Sequence, residues 1–386
     1  MPAVLRATRP TPPVLILLNS LTIGGSETKS VRMANALAER GTDVTLAYLN
    51  PPEQLLAEIS PQVRIVHLRR RGKFSVRALR RLMGTIRERE TPVLLAVNLY
   101  PSLYAAIARA ILGRDRFRLL MSVNTTEFQN PSHERRMSLY RRVLQRADTV
   151  IFGAEMQRQL WQQRYGIGQP GRGATTAVLY NGVDTDRFSA PSMEKPSAKK
   201  RSESPFRLDT KYVIGTVGKM RPEKAHGDLI AATAALRARG LDVGALIVGD
   251  GSERARVTAE ISRLGLTSFV MLAGETRDVR PHLAQMDVFA LTSVSVETFS
   301  NAALEAMASG VPVVCSRIGG MEELISHGGG VSYTAGDVTQ LTDVLARLLT
   351  DDLERARMAR AARRAAVEHF GWDRMVDRFV TLASAP

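Results

Sequence analysis

The chain has 386 residues, 44% of them apolar, and a formal net charge of +15, which suits two globular domains with a core each. No run approaches the roughly 18 to 20 apolar residues needed to span a bilayer. The single cysteine, Cys315, excludes an internal disulfide and a cysteine metal site, and the 6 histidines lack ligand spacing.

Arg6 and Arg9 precede a short apolar run, Val14–Leu18, that is too short for a signal sequence and reads as a first strand behind a loose tail. Further apolar runs at Val44–Leu49, Val93–Val97, Leu119–Val123 and Thr149–Phe152 alternate with helical stretches such as Glu27–Arg40 and Phe74–Glu90. Near-continuous Val/Ile/Leu runs separated by crossovers predict parallel strands buried on both faces. The segment 189–210 is polar, charged and broken by proline, so it is expected to be a linker or mobile loop. A second series follows at Tyr212–Val217, Gly244–Val248, Phe269–Leu272, Val288–Leu291 and Val311–Cys315, and residues 339–385 read as helices. The expected organisation is a first Rossmann-like domain over 1–188, the linker, a second over 211–370, and a C-terminal helix over 371–386 packing back on the first. This is an α/β architecture of two doubly wound domains.

The charge is uneven. Residues 1–184 hold 27 Lys/Arg against 13 Asp/Glu, and the remainder is near balance at 26 against 25. Arg69, Arg70, Arg71, Lys73, Arg77, Arg80 and Arg81 crowd one segment. An anionic membrane surface, an acceptor, nucleic acid and a merely solvated helix all remain open as readings of this patch. Single-strand binders interleave aromatics with such cations, and Phe74 is the only one here.

Chemistry concentrates in the second half. Lys219, Arg221 and Lys224 follow a predicted strand, at the edge where a pyrophosphate would lie. Glu297 and Glu305 flank Phe299, Ser300 and Asn301, where a helix is expected to begin with its N–H groups open to an anion. A phosphate flanked by two hydroxyl-binding carboxylates describes a nucleotide sugar. Gly24 and Gly25 follow the first strand and allow close backbone approach. Neither Asn19–Glu27 nor Gly249-Asp-Gly251 is a complete dinucleotide fingerprint.

Six pieces in order carry a resemblance: Gly24-Gly-Ser-Glu27, Val178–Phe188, Val217–Lys224, Val248-Gly-Asp-Gly251, Glu297–Glu305 and Gly319–Ile325. With them the chain resembles, over nearly its whole length, the retaining GT-B glycosyltransferases of the family-four type. The resemblance implies two Rossmann-like domains facing a central cleft, an acceptor on the first and a nucleoside-diphosphate sugar on the second, UDP-sugar foremost. It implies no metal and no separate cofactor. Lys219 and Lys224 would stabilise the departing diphosphate, Glu297 would bind the transferred sugar and Glu305 the ribose. Where relatives carry arginine this chain has Lys219, and where many carry a histidine near the sugar it has Asn124. The acceptor implied is a glycan or a polyprenyl- or lipid-linked molecule of envelope or polysaccharide synthesis. The expected location is cytoplasmic, with peripheral contact at the inner membrane face. Two other classes share the pattern: a non-catalytic nucleotide-sugar binder and a GT-B sugar-nucleotide epimerase.

Overall fold

In the computed structural model the described residues are 11–124, 137, 140–169, 171, 173–189, 208–295 and 297–385. The chain divides into two compact units, Met1–Tyr180 with Met375–Pro386, and Asn181–Arg374.

The first unit carries a seven-stranded sheet in the order β3-β2-β1-β4-β5-β6-β7. The strands are β1 Val14–Leu18, β2 Val44–Tyr48, β3 Arg64–His67, β4 Val93–Val97, β5 Arg118–Val123, β6 Thr149–Phe152 and β7 Thr175–Val178. All pairings are parallel; in β1, Ile16 lies opposite Leu46 on one side and Leu95 on the other. Both faces are covered, so β1, β2 and β4 are buried at every position. Helices α1 Gly25–Glu39, α2 Val76–Glu88, α3 Leu99–Leu112 and α4 Glu155–Tyr165 belong to this unit. Helix α2 starts where Ser75 Oγ accepts from Ala78 N at 3.3 Å, and it buries Ala78, Leu79, Leu82 and Ile86 at helical spacing.

The second unit carries six parallel strands in the order β10-β9-β8-β11-β12-β13. They are β8 Tyr212–Val217, β9 Val243–Val248, β10 Val270–Gly274, β11 Val288–Leu291, β12 Val313–Ser316 and β13 Gly330–Tyr333. Its helices are α5 His226–Ala238, α6 Arg254–Arg263, α7 Arg280–Leu283, α8 Asn301–Ala308, α9 Met321–Ile325, α10 Val338–Thr350 and α11 Asp352–Phe370. A final helix, α12 Trp372–Ser384, begins in this unit and ends among residues assigned to the first.

One expected boundary is corrected. Residues 181–188 belong to the second unit, because Val183 N donates to Phe370 O at 2.9 Å and Trp372 N to Val183 O at 2.8 Å. Arg363 Nη1 also donates to Thr185 O at 2.9 Å. The Asn181-Gly182 pair thus belongs to that unit. Residues 190–207, the bulk of the expected linker, lie outside the described residues.

Candidate active site

In each sheet the strand order reverses once, between β1 and β4 and between β8 and β11. Loops leaving such a pair run apart and open a crevice at the carboxyl edge, where doubly wound folds take ligands.

In the second unit the loop after β8 is held against the turn after β9. Met220 N donates to Asp250 O at 2.9 Å, and Glu253 N to Met220 O at 3.0 Å. A Cβ on Gly249 would stand 2.0 Å from Gly218 O, and one on Gly251 2.3 Å from Met220 O. Those two glycines serve this close approach and not a dinucleotide. The loop then makes one tight turn over Pro222–Lys224 and reverses through Ala225 at φ +45° before α5. A left-handed alanine is costly and persists only where its surroundings fix it.

That turn delivers Lys224 to Glu297. The ammonium and carboxylate form an ion pair, and Ser293 Oγ donates to the same carboxylate oxygen at 3.2 Å. The backbones are tied as well: Thr292 Oγ1 donates to Lys224 O at 2.9 Å and Val294 N to Glu223 O at 2.9 Å. Beneath them Ser316 Oγ donates to Ser293 O at 2.5 Å. With side-chain exposures of 25% and 11%, lysine and glutamate are held in place of being freely hydrated. Gly319, at φ +53°, lies so close that a Cβ there would be 1.4 Å from Glu297 O.

Helix α8 opens beside this pair. Ser300 is its N-cap, accepting from Ala303 N at 3.3 Å, and Asn301 is exposed at its first position. Phe299 is buried with its ring 5.4 Å from that of Phe370, and its carbonyl accepts from Asn181 Nδ2 at 2.9 Å. Glu305 is half-buried one turn further along. Lys219 is exposed and, among the described residues, without a hydrogen-bond or ion-pair partner. Arg221 is exposed, with Glu223 3.8 Å away. So Lys224 and Glu297 are joined directly, α8 starts next to them, and Lys219 and Arg221 stand on the same loop. Burial, reinforced by Lys224, lowers the His226 pKa to about 4, so this neighbour is neutral at pH 7. Burial, with Glu322 and Glu297 nearby, pushes the Cys315 thiol up to about 12, which makes it an inert packing group.

The first unit gathers its own polar set. Gly24 is extended and caps α1, which starts at Gly25. Asn98, at the end of β4, adopts φ +68° and donates from Nδ2 to Ser26 Oγ at 3.3 Å. Asn124, at the end of β5, donates from Nδ2 to Asn98 Oδ1 at 3.3 Å. Asn124 therefore stands within hydrogen-bond reach of the β1–β4 crevice through Asn98. Thr125, Thr126, Glu127 and His133 lie outside the described residues.

The arginine patch is not uniform. Arg69, Arg71, Lys73, Arg77 and Arg80 are exposed. Arg81 turns back to donate to Leu68 O at 3.2 Å, and Arg70 donates from Nε to Asn50 Oδ1 at 2.9 Å. Sequence reasoning missed Ser293, Thr292, Asn98 and Asn50. They are small polar residues at strand ends, and only the strand order shows them converging.

The two halves match different family models: residues 23–187 match "Glycosyltransferase Family 4" and residues 198–365 "Glycosyl transferases group 1". Among curated proteins, the chain is 25% identical to the N-acetyl-alpha-D-glucosaminyl L-malate synthase of Bacillus anthracis, covering 93% of each. It is 31% identical to the GDP-mannose-dependent alpha-(1-6)-phosphatidylinositol monomannoside mannosyltransferase of Mycolicibacterium smegmatis, over 63% of this chain and 64% of that one. Among solved structures, Anabaena HepE in complex with UDP superposes with a TM-score of 0.82 at 24% identity, covering 97% of this chain and 100% of that one. Sucrose-phosphate synthase from Thermosynechococcus elongatus gives 0.78 at 18%, covering 96% and 98%. Two parallel α/β domains with these matches define a glycosyltransferase of the GT-B fold. The chain belongs to the family-four type, with a group 1 glycosyl transferase domain as its second half.

Among the described residues no helix is long and apolar enough to cross a membrane, and no three His, Cys, Asp or Glu side chains are grouped to hold a metal ion.

Proposed function

We propose that this enzyme is a retaining, metal-independent hexosyltransferase. It moves a sugar from a nucleoside diphosphate, UDP being the base proposed, to a glycan or lipid-linked acceptor of cell-envelope or polysaccharide synthesis. The observation that carries the reading is the Lys224–Glu297 pair beside the N-terminus of α8. A diphosphate arriving there exchanges a carboxylate for phosphate at Lys224 and frees Glu297 to accept from sugar hydroxyls. Lys224, Lys219 and the helix N-terminus then stabilise the charge that grows on the leaving diphosphate. The acceptor hydroxyl attacks the anomeric carbon from the face the diphosphate leaves, and its proton passes to a departing phosphate oxygen. The relatives' names support an anionic or lipid-linked acceptor: L-malate in one, a phosphatidylinositol mannoside in another. They also put GDP forward as the rival base.

Incubation with UDP-, GDP- and ADP-hexoses in the presence of EDTA, with malate and extracted polyprenyl and phosphoinositide lipids as acceptors, tests this. Transfer with retained anomeric configuration, and a roughly tenfold loss of nucleotide affinity in Glu305→Ala, are expected. If no donor is consumed and Glu305→Ala binds nucleotide as the wild type does, the reading is wrong.

The exposed Arg71, Lys73, Arg77 and Arg80 lie beside Phe74, 45% exposed, and Val76, 54% exposed. Cations edged with apolar side chains suit the headgroup region of an anionic bilayer, and we propose peripheral contact there, at the cytoplasmic face. Sedimentation with phosphatidylglycerol vesicles should be reversed by salt, and Arg77→Glu/Arg80→Glu should cost about 1 kcal/mol per cation. Undiminished binding of the double variant would remove this part of the proposal.

A further inference from the structure

Arg70 is held differently from the other cations of its segment. Four strand ends converge on it: Asn19 follows β1, Asn50 follows β2, Arg70 follows β3, and Tyr100 lies in the first turn of α3 after β4. Its backbone N–H donates to Leu49 O at 2.9 Å. Its Nε donates to Asn50 Oδ1 at 2.9 Å, and Asn50 Nδ2 in turn donates to Asn19 Oδ1 at 3.4 Å. The guanidinium carbon stands 4.4 Å from the centre of the Tyr100 ring, and Nη1 reaches Lys73 O at 3.4 Å. Tyr100 is supported by Tyr104, whose buried hydroxyl accepts from Ser75 N at 2.8 Å. The backbone turns Arg70 inward through two left-handed residues, Arg69 at φ +53° and Gly72 at φ +67°.

The guanidinium is thus half-buried, stacked and oriented. Among the described residues it has no carboxylate within ion-pair distance. Two other arginines of this unit that are not exposed pair with acids, Arg109 with Asp148 at 2.7 Å and Arg158 with Glu155 at 2.5 Å, whereas Arg81 turns its guanidinium to a backbone carbonyl. The acid of this same edge, Glu53, is occupied, accepting from Tyr48 Oη at 2.6 Å and lying 3.3 Å from His67 Nδ1. Among the described residues every contact of Arg70 is to a neutral group that aims it, and Nη2 has no partner there. A planar fork fixed in that way is arranged for a carboxylate or phosphate oxygen pair. Arg69, Arg71 and Lys73 add positive potential around it.

We infer that Arg70, aimed by Asn50 and Tyr100 at the carboxyl edge of the first sheet, binds an oxyanion on the acceptor, a phosphate or carboxylate borne by a soluble molecule or a lipid headgroup. The inference rests on the transfer reading for the word acceptor alone; the anion site itself does not depend on it.

The test uses the full chain, with and without UDP and GDP, against inorganic phosphate, L-malate and phosphatidylinositol vesicles. Arg70→Met removes the fork. Asn50→Asp keeps it but places a carboxylate on it, which adds an ion pair to the fold while neutralising the site. Both variants should weaken anion binding about 30-fold with nucleotide affinity unaltered, and Asn50→Asp should melt no lower than the wild type. Arg70-dependent binding of phosphate or malate identifies a soluble acceptor; dependence seen with vesicles alone identifies a headgroup. A purely structural arginine would leave anion binding untouched in Asn50→Asp. That result, or wild-type protein that binds none of the three probes, overturns the inference. Arg70-dependent anion binding in a protein that binds and consumes no nucleotide sugar would instead sink the transfer reading and leave the anion site standing.

Discussion

Replacing Lys224 with methionine should slow donor turnover by roughly 100- to 1,000-fold, the usual loss when one positioned charge-stabilising group is removed from a developing anion. The loss should fall on kcat, because the leaving charge is larger in the transition state than in the bound donor. Stability should fall too. Glu297, with its side chain 11% exposed, would keep Ser293 but lose its counter-ion, and a carboxylate so stranded costs about 1–3 kcal/mol. Lys224→Arg should restore much of the stability and part of the rate, since charge returns with a different reach. Steady-state kinetics with the donor identified by the nucleotide panel, alongside thermal melting, decide it. A kcat within threefold of wild type would remove Lys224 from the chemistry.

Gly319→Ala is expected to be the most damaging single-methyl addition. The new Cβ would lie 1.4 Å from the carbonyl oxygen of Glu297, and alanine is strained at φ +53° in any case. The chain must move, and Gly320 N donates to Thr298 O at 2.9 Å, so the loop carrying Glu297 moves with it. A cost of about 3 kcal/mol or more follows from forcing a bulky contact at a left-handed site. Melting should drop by several degrees and donor affinity should fall in parallel. An unchanged melting temperature would mean that the two loops are not packed against each other in solution.

The central strands were legible because they are buried on both faces. Val14–Leu18, Val93–Val97, Tyr212–Val217 and Val288–Leu291 read as continuous apolar runs and occur at those bounds. Strands β3, β7 and β13 did not stand out, since an edge strand such as Arg64–His67 is half in water and mixes arginine with valine. That α8 begins near Ser300 or Asn301 was legible from local chemistry, and Ser300 is its N-cap. Which charges touch was not. Lys224 and Glu297 are both visible in the sequence as site residues, but their pairing comes from the β8–β11 reversal, a long-range fact no spacing encodes. Likewise a run of seven cations looks uniform until the turn at Arg69 sends Arg70 one way and Arg71 the other. Charge counts predicted a patch; backbone dihedrals sorted it.

Helix α12 has a consequence for how the molecule is made. It buries Met375, Val376, Phe379 and Ala383, while Arg40 Nη1 donates to Asp377 at 2.6 Å and Arg118 Nη1 to Ala385 O at 2.5 Å. The first unit is therefore assembled from two segments that leave the ribosome apart, with Asn181–Arg374 between them. At roughly 5–20 residues per second, that interval lasts on the order of 10–40 s. Throughout it the nascent first unit lacks α12, so the surface destined for that helix stays open to chaperones until the helix emerges.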